Sequence, residues 1–390
     1  MGREPRPSPR LSRRLIREDH LASENNADLH RSYFRGRYIL RVAAAAYTLN
    51  TCFGGVEEGR GTWKASIKPN KYIGGGEELR IVFIGQAPFG RDCLQALIDQ
   101  GEKIVGVLTI PDKPDQKNPN PVKELALERG IPLLQPPRLK DHEAIAWVAD
   151  LRPDLLVLAY VTQFVPKAMI DLATYGGINF HPSLLPKYRG GSAMNWAIIA
   201  GEKETGVTIH QIDEGVDTGP IILQEKVPID PDDSVKTLYF GKIYPLGVKL
   251  VAEAVRLIRE GKARPVPQDE SQASFQPVIK EEHVGLDWSQ PTQRLYNFIR
   301  GSDPTPGAWA VFRGEKLKIW EARPWEGKGA PGEVLDVRDD GFVVATGDGA
   351  LLVKRVQFTG TGKIPAAEWA KSQGLRAGDK LEPGHSEILL

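Results

Sequence analysis

Short apolar runs alternate with amphipathic stretches from Leu79 onward, and this alternation limits the chain to few folds. The first run, residues 79–85, has the length and the β-branched residues of a buried parallel strand. A glycine-bearing turn, residues 85–90, leads into a stretch whose apolar residues recur at helical spacing: Cys93, Leu94, Leu97 and Ile98. Parallel strands need a crossover connection, which is usually a helix. The alternation therefore predicts a Rossmann-like α/β domain with a parallel sheet.

The same alternation continues as far as residue 261. Further strands are predicted at residues 104–110, 153–160, 177–181, 205–212 and 221–229. Further helices are predicted at residues 121–129, 145–151 and 234–261. A polar stretch with two prolines, residues 263–272, is typical of a linker between domains. We therefore place the α/β domain at residues 79–265.

The last part of the chain has the pattern of a small β domain. A helix is predicted at residues 291–300. Short strands separated by glycine turns are predicted after it at residues 309–312, 316–320, 332–337, 341–345 and 351–358. Strands at such regular spacing are typical of a small barrel. We place this second domain at residues 280–385.

Residues 1–78 differ from the rest of the chain. Arginines crowd this stretch, prolines are interleaved among them, and neither a helical nor a strand period is sustained. A secretory signal would need a cleaner apolar core near its start, and a transit peptide would carry fewer acidic residues. We expect a disordered or wrongly assigned leader whose removal does not affect catalysis.

Composition excludes several classes of protein. The formal net charge of +1 gives no argument for wholesale electrostatic binding to nucleic acid, although a local basic patch stays open. Cys52 and Cys93 are the only cysteines, too few for a thiolate zinc site, and their scarcity fits a reducing compartment such as the cytoplasm. No apolar run approaches the roughly 20 residues that span a bilayer. We expect a monomer with no membrane partner.

The glycine turn after the first strand does not specify a nucleotide. Residues 85–90 lack the middle glycine of Gly-x-Gly-x-x-Gly, and no Gly-Lys-Ser/Thr follows. In open parallel sheets, ligands bind beyond the carboxyl ends of the strands. The functional residues are therefore expected at that edge.

Two polar side chains stand there on one predicted strand. Asn179 and His181 are two residues apart, so they project to the same face of the strand, and Pro182 ends the pattern. Asp217 lies on a glycine-flanked loop, residues 213–219, between two predicted strands. An amide and an imidazole can donate hydrogen bonds to an oxygen that becomes negative, while a carboxylate steers a proton. The three types together suit a metal-free acyl transfer.

Each of these residues also has a structural interpretation, as a cap, a buried histidine or a turn aspartate. A covalent nucleophile is not indicated, because Ser183 lacks a Gly-x-Ser-x-Gly elbow and Cys93 lies in an apolar helix stripe. His210 alternates with apolar residues in a strand, which favours a structural role. Metal ligands at diagnostic spacing are absent from the sequence.

The stretch from residue 179 to 190, Asn-Phe-His-Pro-Ser-Leu-Leu-Pro-Lys-Tyr-Arg-Gly, together with Asp-Thr-Gly at residues 217–219, resembles the signature of the folate-dependent formyltransferase family. The resemblance extends over about residues 79–382. It implies transfer of the formyl group of 10-formyltetrahydrofolate to an amine. It also implies catalytic roles for Asn179, His181 and Asp217, and folate binding by these residues: Ser183, Leu184, Leu185, Pro186, Gln163, Phe164 and Val165.

The resemblance leaves the formyl acceptor open. Members with this two-domain layout and an OB-like second domain act on initiator methionyl-tRNA, which is the partner it favours. Between Pro111 and Pro121, however, this chain is short where those members carry a longer basic loop. Water is a second acceptor, because the chain is also similar to the hydrolase domain of 10-formyltetrahydrofolate dehydrogenase. An amino sugar is a third, and a non-catalytic folate- or RNA-binding module is the alternative outside the enzyme class.

Overall fold

The computed structural model describes residues 78–114 and 118–385. The leader predicted for residues 1–78 therefore lies outside the described residues, apart from Glu78. Within the described part of the chain, no helix is long and apolar enough to cross a membrane.

A seven-stranded sheet forms the first domain, in the order β3-β2-β1-β4-β5-β7-β8. Its strands are β1 (Arg80–Gly85), β2 (Lys103–Leu108), β3 (Leu133–Leu134), β4 (Leu155–Ala159), β5 (Gly177–His181), β7 (Glu204–Gln211) and β8 (Ile221–Pro228). The short strand β6 (Arg189–Gly190) lies between β5 and β7 in the chain and belongs to a separate pair. Strands β3, β2, β1, β4 and β5 are parallel, as predicted.

The last two strands of this sheet are antiparallel. A short loop, residues 212–220, joins β7 to β8, and such a loop can return a strand only in the antiparallel direction. The Rossmann-like prediction is therefore confirmed, with an antiparallel hairpin added at one edge of the sheet.

Helices connect the strands of the first domain near the predicted positions. They are α1 (Ala87–Asp99), α2 (Pro121–Glu128), α3 (His142–Leu151), α4 (Lys167–Ile170), α5 (Ala193–Ile199), α6 (Val235–Leu238) and α7 (Tyr244–Arg259). A π-helical turn, Tyr239–Ile243, joins α6 to α7. Helix α1 begins inside the predicted glycine turn, because the Gly90 N–H already bonds to the Gln86 carbonyl.

The second domain is an antiparallel sheet in the order β10-β11-β14-β13-β12. Its elements, with the preceding short strand, are β9 (Phe275–Gln276), α8 (Thr292–Gly301), β10 (Ala308–Phe312), β11 (Glu315–Trp325), β12 (Val334–Arg338), β13 (Gly341–Ala345), β14 (Ala350–Phe358), β15 (Ile364–Pro365) and α9 (Ala366–Gln373). Residues 378–382 bond to Val334 of β12 and to Val311 of β10, so they bridge the two ends of the sheet. Trp369 fills the interior against Phe312 and Phe342. This closure agrees with the predicted small barrel.

The stretch predicted as a linker, residues 263–272, is bound to the first domain. Val266 pairs with Ile221 at the start of β8, and Gln268 donates hydrogen bonds to the loop after β7. The stretch stays largely exposed, but the Gln268 bonds and the Arg189–Glu270 pair attach it to the first domain.

Candidate active site

Strand alternation places Asn179 and His181 together on one face of β5. Ile178 and Phe180 occupy the opposite face, where they are buried in the apolar core with the side chains of α1 and α7. His181 is also buried, with 4% of its surface exposed. The two candidate residues therefore share one face, as the sequence predicts.

The loop between β7 and β8 brings Asp217 to both of them. Its Oδ2 lies 3.4 Å from His181 Nδ1, and its Oδ1 lies 3.4 Å from Asn179 Nδ2. The backbone N–H of Gly190 donates a shorter hydrogen bond, 2.9 Å, to Oδ2. One carboxylate thus touches both predicted partners.

The shape of this loop depends on two unusual backbone positions. Asp217 has a φ of 54°, in the left-handed region that few residues other than glycine adopt. At Gly219, an added Cβ would come within 1.9 Å of the Gln211 carbonyl oxygen. The glycine after Asp217 therefore lets the loop fold back closely onto the end of β7.

His210, for which the sequence favours a structural role, belongs to the same cluster. Its Nε2 lies 3.4 Å from Asp217 Oδ1 and 3.3 Å from Asn179 Nδ2, and its Nδ1 donates to the Gln211 carbonyl at 2.7 Å. His210 pairs directly with Asn179 across the antiparallel strands β5 and β7. Alternation within β7 indicated which face His210 occupies, but only the pairing register shows that this face meets Asn179.

Asp217 is ionised in this environment. Burial opposes its ionisation, but His181 and His210 attract the negative charge and the Gly190 N–H bonds to it. These interactions together hold the pKa of Asp217 well below its usual range.

His181 is neutral at pH 7. Burial lowers its pKa, and the attraction of Asp217 and the bond to the Tyr188 carbonyl offset this effect only in part. That carbonyl can only accept, so His181 Nε2, at 2.8 Å, carries the ring proton. The unprotonated Nδ1 therefore faces the Asp217 carboxylate. The lone pair of this nitrogen can accept a proton.

Of the residues predicted to bind folate after β4, two lie in accessible positions. Gln163 hydrogen-bonds to the Leu139 N–H and the Pro137 carbonyl, and Phe164 is exposed. Val165 instead packs into the apolar core beneath α3 and α4. Gln163 also lines a cleft whose polar side chains include Gln86, Thr109 and Thr162.

The residues predicted to bind folate after β5 are largely occupied within the protein. Ser183 is fully buried and its hydroxyl donates to the Lys187 carbonyl. The Leu185 N–H donates to Thr208 Oγ1, and Leu184 packs closely over Gly206. Pro186 is partly buried, and its carbonyl accepts from the Ser274 N–H. Residues 183–186, which these bonds and contacts hold in place beside His181, are named the wall.

The basic residues of the barrel have acidic neighbours. Lys316 and Lys318 pair with Glu281, and Lys363 lies 3.5 Å from Asp303. Such pairing reduces the positive potential that a phosphate would meet. Among residues 78–114 and 118–385, no three His, Cys, Asp or Glu side chains are placed to hold a metal ion.

Comparison with known proteins gives matches over both domains. The family described as formyl transferase matches residues 79–254, and the family described as formyl transferase, C-terminal domain, matches residues 278–374. A protein of Citrifermentans bemidjiense named methionyl-tRNA formyltransferase is 40% identical over 310 residues, which are 78% of this chain and 95% of that protein. One of Bacillus licheniformis with the same name is 42% identical over 315 residues, covering 79% and 99%.

Solved structures share the fold at lower identity. HypX from Aquifex aeolicus, solved in complex with tetrahydrofolic acid, matches with a TM-score of 0.56 and 23% identity over 78% of this chain and 49% of HypX. The sugar 3N-formyl transferase WlaRD matches with a TM-score of 0.56 and 20% identity over 74% of this chain and all of that one.

Proposed function

This chain belongs to the formyl transferase family, and we propose that it transfers the formyl group of 10-formyltetrahydrofolate to the α-amine of initiator methionyl-tRNA. The relatives named methionyl-tRNA formyltransferase support this acceptor, because the alignments cover both domains and nearly their whole length. The observation that carries the chemistry is the cluster of Asn179, His181 and His210 around the Asp217 carboxylate.

In the proposed reaction, His181 transfers a proton from the acceptor amine to the folate nitrogen. A nitrogen–carbon bond forms between the acceptor amine and the formyl carbon, and the amine must lose a proton as it attacks. The unprotonated Nδ1 of His181 accepts that proton, and Asp217 stabilises the resulting imidazolium. His181 then returns the proton to the folate nitrogen as the bond between that nitrogen and the formyl carbon breaks.

Asn179 stabilises the oxygen that becomes negative during the transfer. Its amide contacts to His210 and Asp217 are long, at 3.3 and 3.4 Å, so Nδ2 is available for a shorter bond to that oxygen. Such contacts often tighten only when substrate is bound. No metal is required in this scheme.

For the formyl donor, we propose the segment after β4 and the wall after β5. Gln163 and Phe164 stand where a flat ring can lie against them, and the cleft beside Gln163 offers several polar side chains. The buried Ser183 and Leu185 would act by holding the wall in place rather than by direct polar contact. Leu184, Pro186 and Val165 would contribute apolar surface.

Water is the second candidate acceptor, and the short segment between Pro111 and Pro121 favours it. Within this segment, Asp112 pairs with Lys123 of α2, which leaves less positive charge to meet an acceptor stem. A hydrolase would use the same Asn179, His181 and Asp217, with water in place of the amine.

The test is to incubate the purified protein with 10-formyltetrahydrofolate and, in separate arms, with charged initiator tRNA, uncharged tRNA, an amino sugar nucleotide or buffer. Formyl-methionyl-tRNA in the first arm, at a rate well above folate release in the buffer arm, is the expected result. Equal folate release in every arm would assign a hydrolase. Folate binding without turnover in any arm would overturn the enzymatic proposal.

The proposal also carries two expectations from the sequence, that the enzyme acts as a monomer and that it works in the cytoplasm. Light scattering after size-exclusion chromatography tests the first, and localisation of the tagged protein tests the second.

A further inference from the structure

The segment of residues 266–276, here named the strap, hydrogen-bonds to the backbone of the Asp217 loop and to the side chain of Arg189, which precedes Gly190 in the chain. The strap overlaps the stretch of residues 263–272, for which the sequence predicts only a linker between the two domains. We infer that Gln268 in this strap is a positioning residue, which keeps the Asp217 carboxylate and the Gly190 N–H in the positions needed for proton transfer at His181. This inference rests on the proposed function.

Both polar atoms of the Gln268 side-chain amide form hydrogen bonds. Its Nε2 donates to the carbonyl of Asp217 at 2.8 Å and to the carbonyl of Gly219 at 2.7 Å. Its Oε1 accepts from Arg189, from Nε at 3.1 Å and Nη2 at 2.8 Å. Since carbonyls only accept and a guanidinium only donates, the amide can satisfy both sides in one orientation alone.

These four bonds link the backbone of the Asp217 loop to the side chain of Arg189. Gly190, whose N–H donates to Asp217 Oδ2, follows Arg189 directly in the chain. Gln268 therefore hydrogen-bonds to the backbone of Asp217 through Nε2 and to the side chain of Arg189, next to Gly190, through Oε1. A shift of Gln268 would change the position of the carboxylate relative to His181.

Asp217 needs such support from outside its own loop. Its left-handed backbone conformation is unfavourable for an aspartate, and conformations of this kind persist where the surroundings hold them. The carbonyl bond from Gln268 acts on that same residue. The long distance of 3.4 Å between Asp217 Oδ2 and His181 Nδ1 gives the loop room to move if that bond is lost.

The strap itself is anchored on both sides of Gln268. Val266 pairs with Ile221, and strand β9, Phe275–Gln276, pairs with Arg189–Gly190. The next residue, Pro277, accepts a hydrogen bond from Trp196 Nε1 where the chain enters the second domain. The strap thus connects the position of the second domain to the geometry around Asp217.

The test compares two substitutions of Gln268 with a matched change elsewhere in the strap. Gln268→Met keeps the length of the side chain and removes every hydrogen bond. Gln268→Glu keeps oxygen acceptors for Arg189 and removes the two bonds to the loop. Gln272→Met is the control, because the Gln272 side chain is exposed and bonds to Asp269 within the strap.

We expect both Gln268 variants to lose at least tenfold in kcat, because small displacements of reacting groups cost rate steeply. The KM for 10-formyltetrahydrofolate should change little, and the variants should remain folded at the assay temperature, although Gln268→Met should lower the unfolding temperature because buried Arg189 and two carbonyls lose a partner. Gln272→Met should keep the wild-type kcat within about twofold. A Gln268→Met kcat within twofold of wild type would overturn the inference. So would a loss of kcat that matches a loss of folded protein.

A second readout needs no turnover, so it separates this inference from the proposed reaction. The groups that face the His181 ring are Asp217 and His210, and the attraction of Asp217 raises the pKa of His181. If Gln268 holds Asp217 in place, Gln268→Met lowers the pKa of His181 in an NMR titration of labelled histidines, and Gln272→Met does not. An unchanged pKa contradicts the positioning role, whereas absence of formyl transfer by the wild-type protein contradicts the proposed function alone.

Discussion

At the scale of the residue, the site consists of one charged carboxylate among neutral and weakly basic groups. Asp217 is surrounded by an amide, two imidazoles and a backbone N–H, and none of these groups carries a negative charge. A carboxylate in that setting stays ionised and raises the basicity of the histidine it faces. This explains how a buried, neutral His181 can accept a proton.

Replacing Asp217 by asparagine should therefore abolish most of the activity without unfolding the protein. Asn has nearly the same shape but cannot stabilise the His181 cation, so we expect kcat to fall on the order of a hundredfold or more. The measurement is the single-turnover rate of formyl transfer. Glu214→Gln on the same loop, which is exposed, serves as the control, and comparable losses in both variants would contradict the assignment.

His210 should contribute less than Asp217, because it acts through its contact with that carboxylate and with Asn179. His210→Gln removes the imidazole and is expected to lower kcat about tenfold, in proportion to the loss of one hydrogen bond. Steady-state kinetics with a check of the unfolding temperature measures this. Wild-type kcat in the variant would support the structural role that the sequence favours.

The activity should also depend on pH through His181. Its pKa is below the ordinary histidine value of about 6.5, and the reaction needs the unprotonated ring. The acid limb of the kcat profile is therefore expected below pH 6.5, with full activity above it.

The same depressed pKa has a consequence for stability. Since the unfolded chain binds the proton first, the stability present above about pH 6.5 is lost as the pH falls through the folded pKa. An acid limb of the kcat profile centred above pH 6.5 would contradict a neutral His181. Unfolding curves recorded at the same pH values separate the loss of activity from the loss of folded protein.

At the scale of the element, the antiparallel hairpin β7–β8 builds the site. Its register places His210 opposite Asn179, and its loop returns Asp217 to the same face. A parallel continuation of the sheet would instead require a crossover connection of a dozen or more residues in place of this short loop.

Gly219→Ala tests whether the tight return of that loop is required. The added Cβ would strike the Gln211 carbonyl at 1.9 Å, so the loop must move, and we expect kcat to fall about tenfold or more. Overpacking should also lower the free energy of unfolding by about 1–3 kcal/mol. Gly362→Ala is the matched control, since its Cβ would meet nothing within 4 Å. Equal kcat and stability in the two variants would refute the close-approach argument.

Much of this element-scale order could be predicted from the sequence. The strands and helices that were predicted for the first domain begin and end within a few residues of their predicted bounds, because burial of one face imposes a period of two or 3.6 residues on the sequence. The short elements β3, β6, α4 and α5 were not predicted. The attachment of residues 263–272 to the first domain could not, since proline and polar residues are equally typical of an exposed linker.

At the scale of the whole molecule, the two domains are joined next to the site. Asn195 of α5 donates to the Gly301 carbonyl at the end of α8, and buried Arg300 donates to the Asp233 carbonyl. The strap runs beside this contact. These hydrogen bonds attach the second domain to the first.

Removing residues 1–77 should leave the reaction intact. Every side chain in the proposed catalytic cluster and in the strap lies between residues 179 and 276, and the family match begins at residue 79. We expect a chain beginning at Glu78 to keep kcat and KM within about twofold of the full chain, measured with charged initiator tRNA. A larger loss of kcat, or a rise in the KM for tRNA, would assign the first residues a part in catalysis or tRNA binding.

The sequence by itself determined the two-domain layout, the strand that carries Asn179 and His181, and the choice of Asp217. These follow from local periodicity and from two short signature stretches, residues 179–190 and 217–219, each of which is read from neighbours along the chain. Tertiary structure alone decided that His210 joins the cluster and that Gln268 holds the Asp217 loop. The physical reason is that a hydrogen bond requires atoms about 3 Å apart, and for residues 31 or 51 positions apart in sequence this distance is set by strand register and loop return.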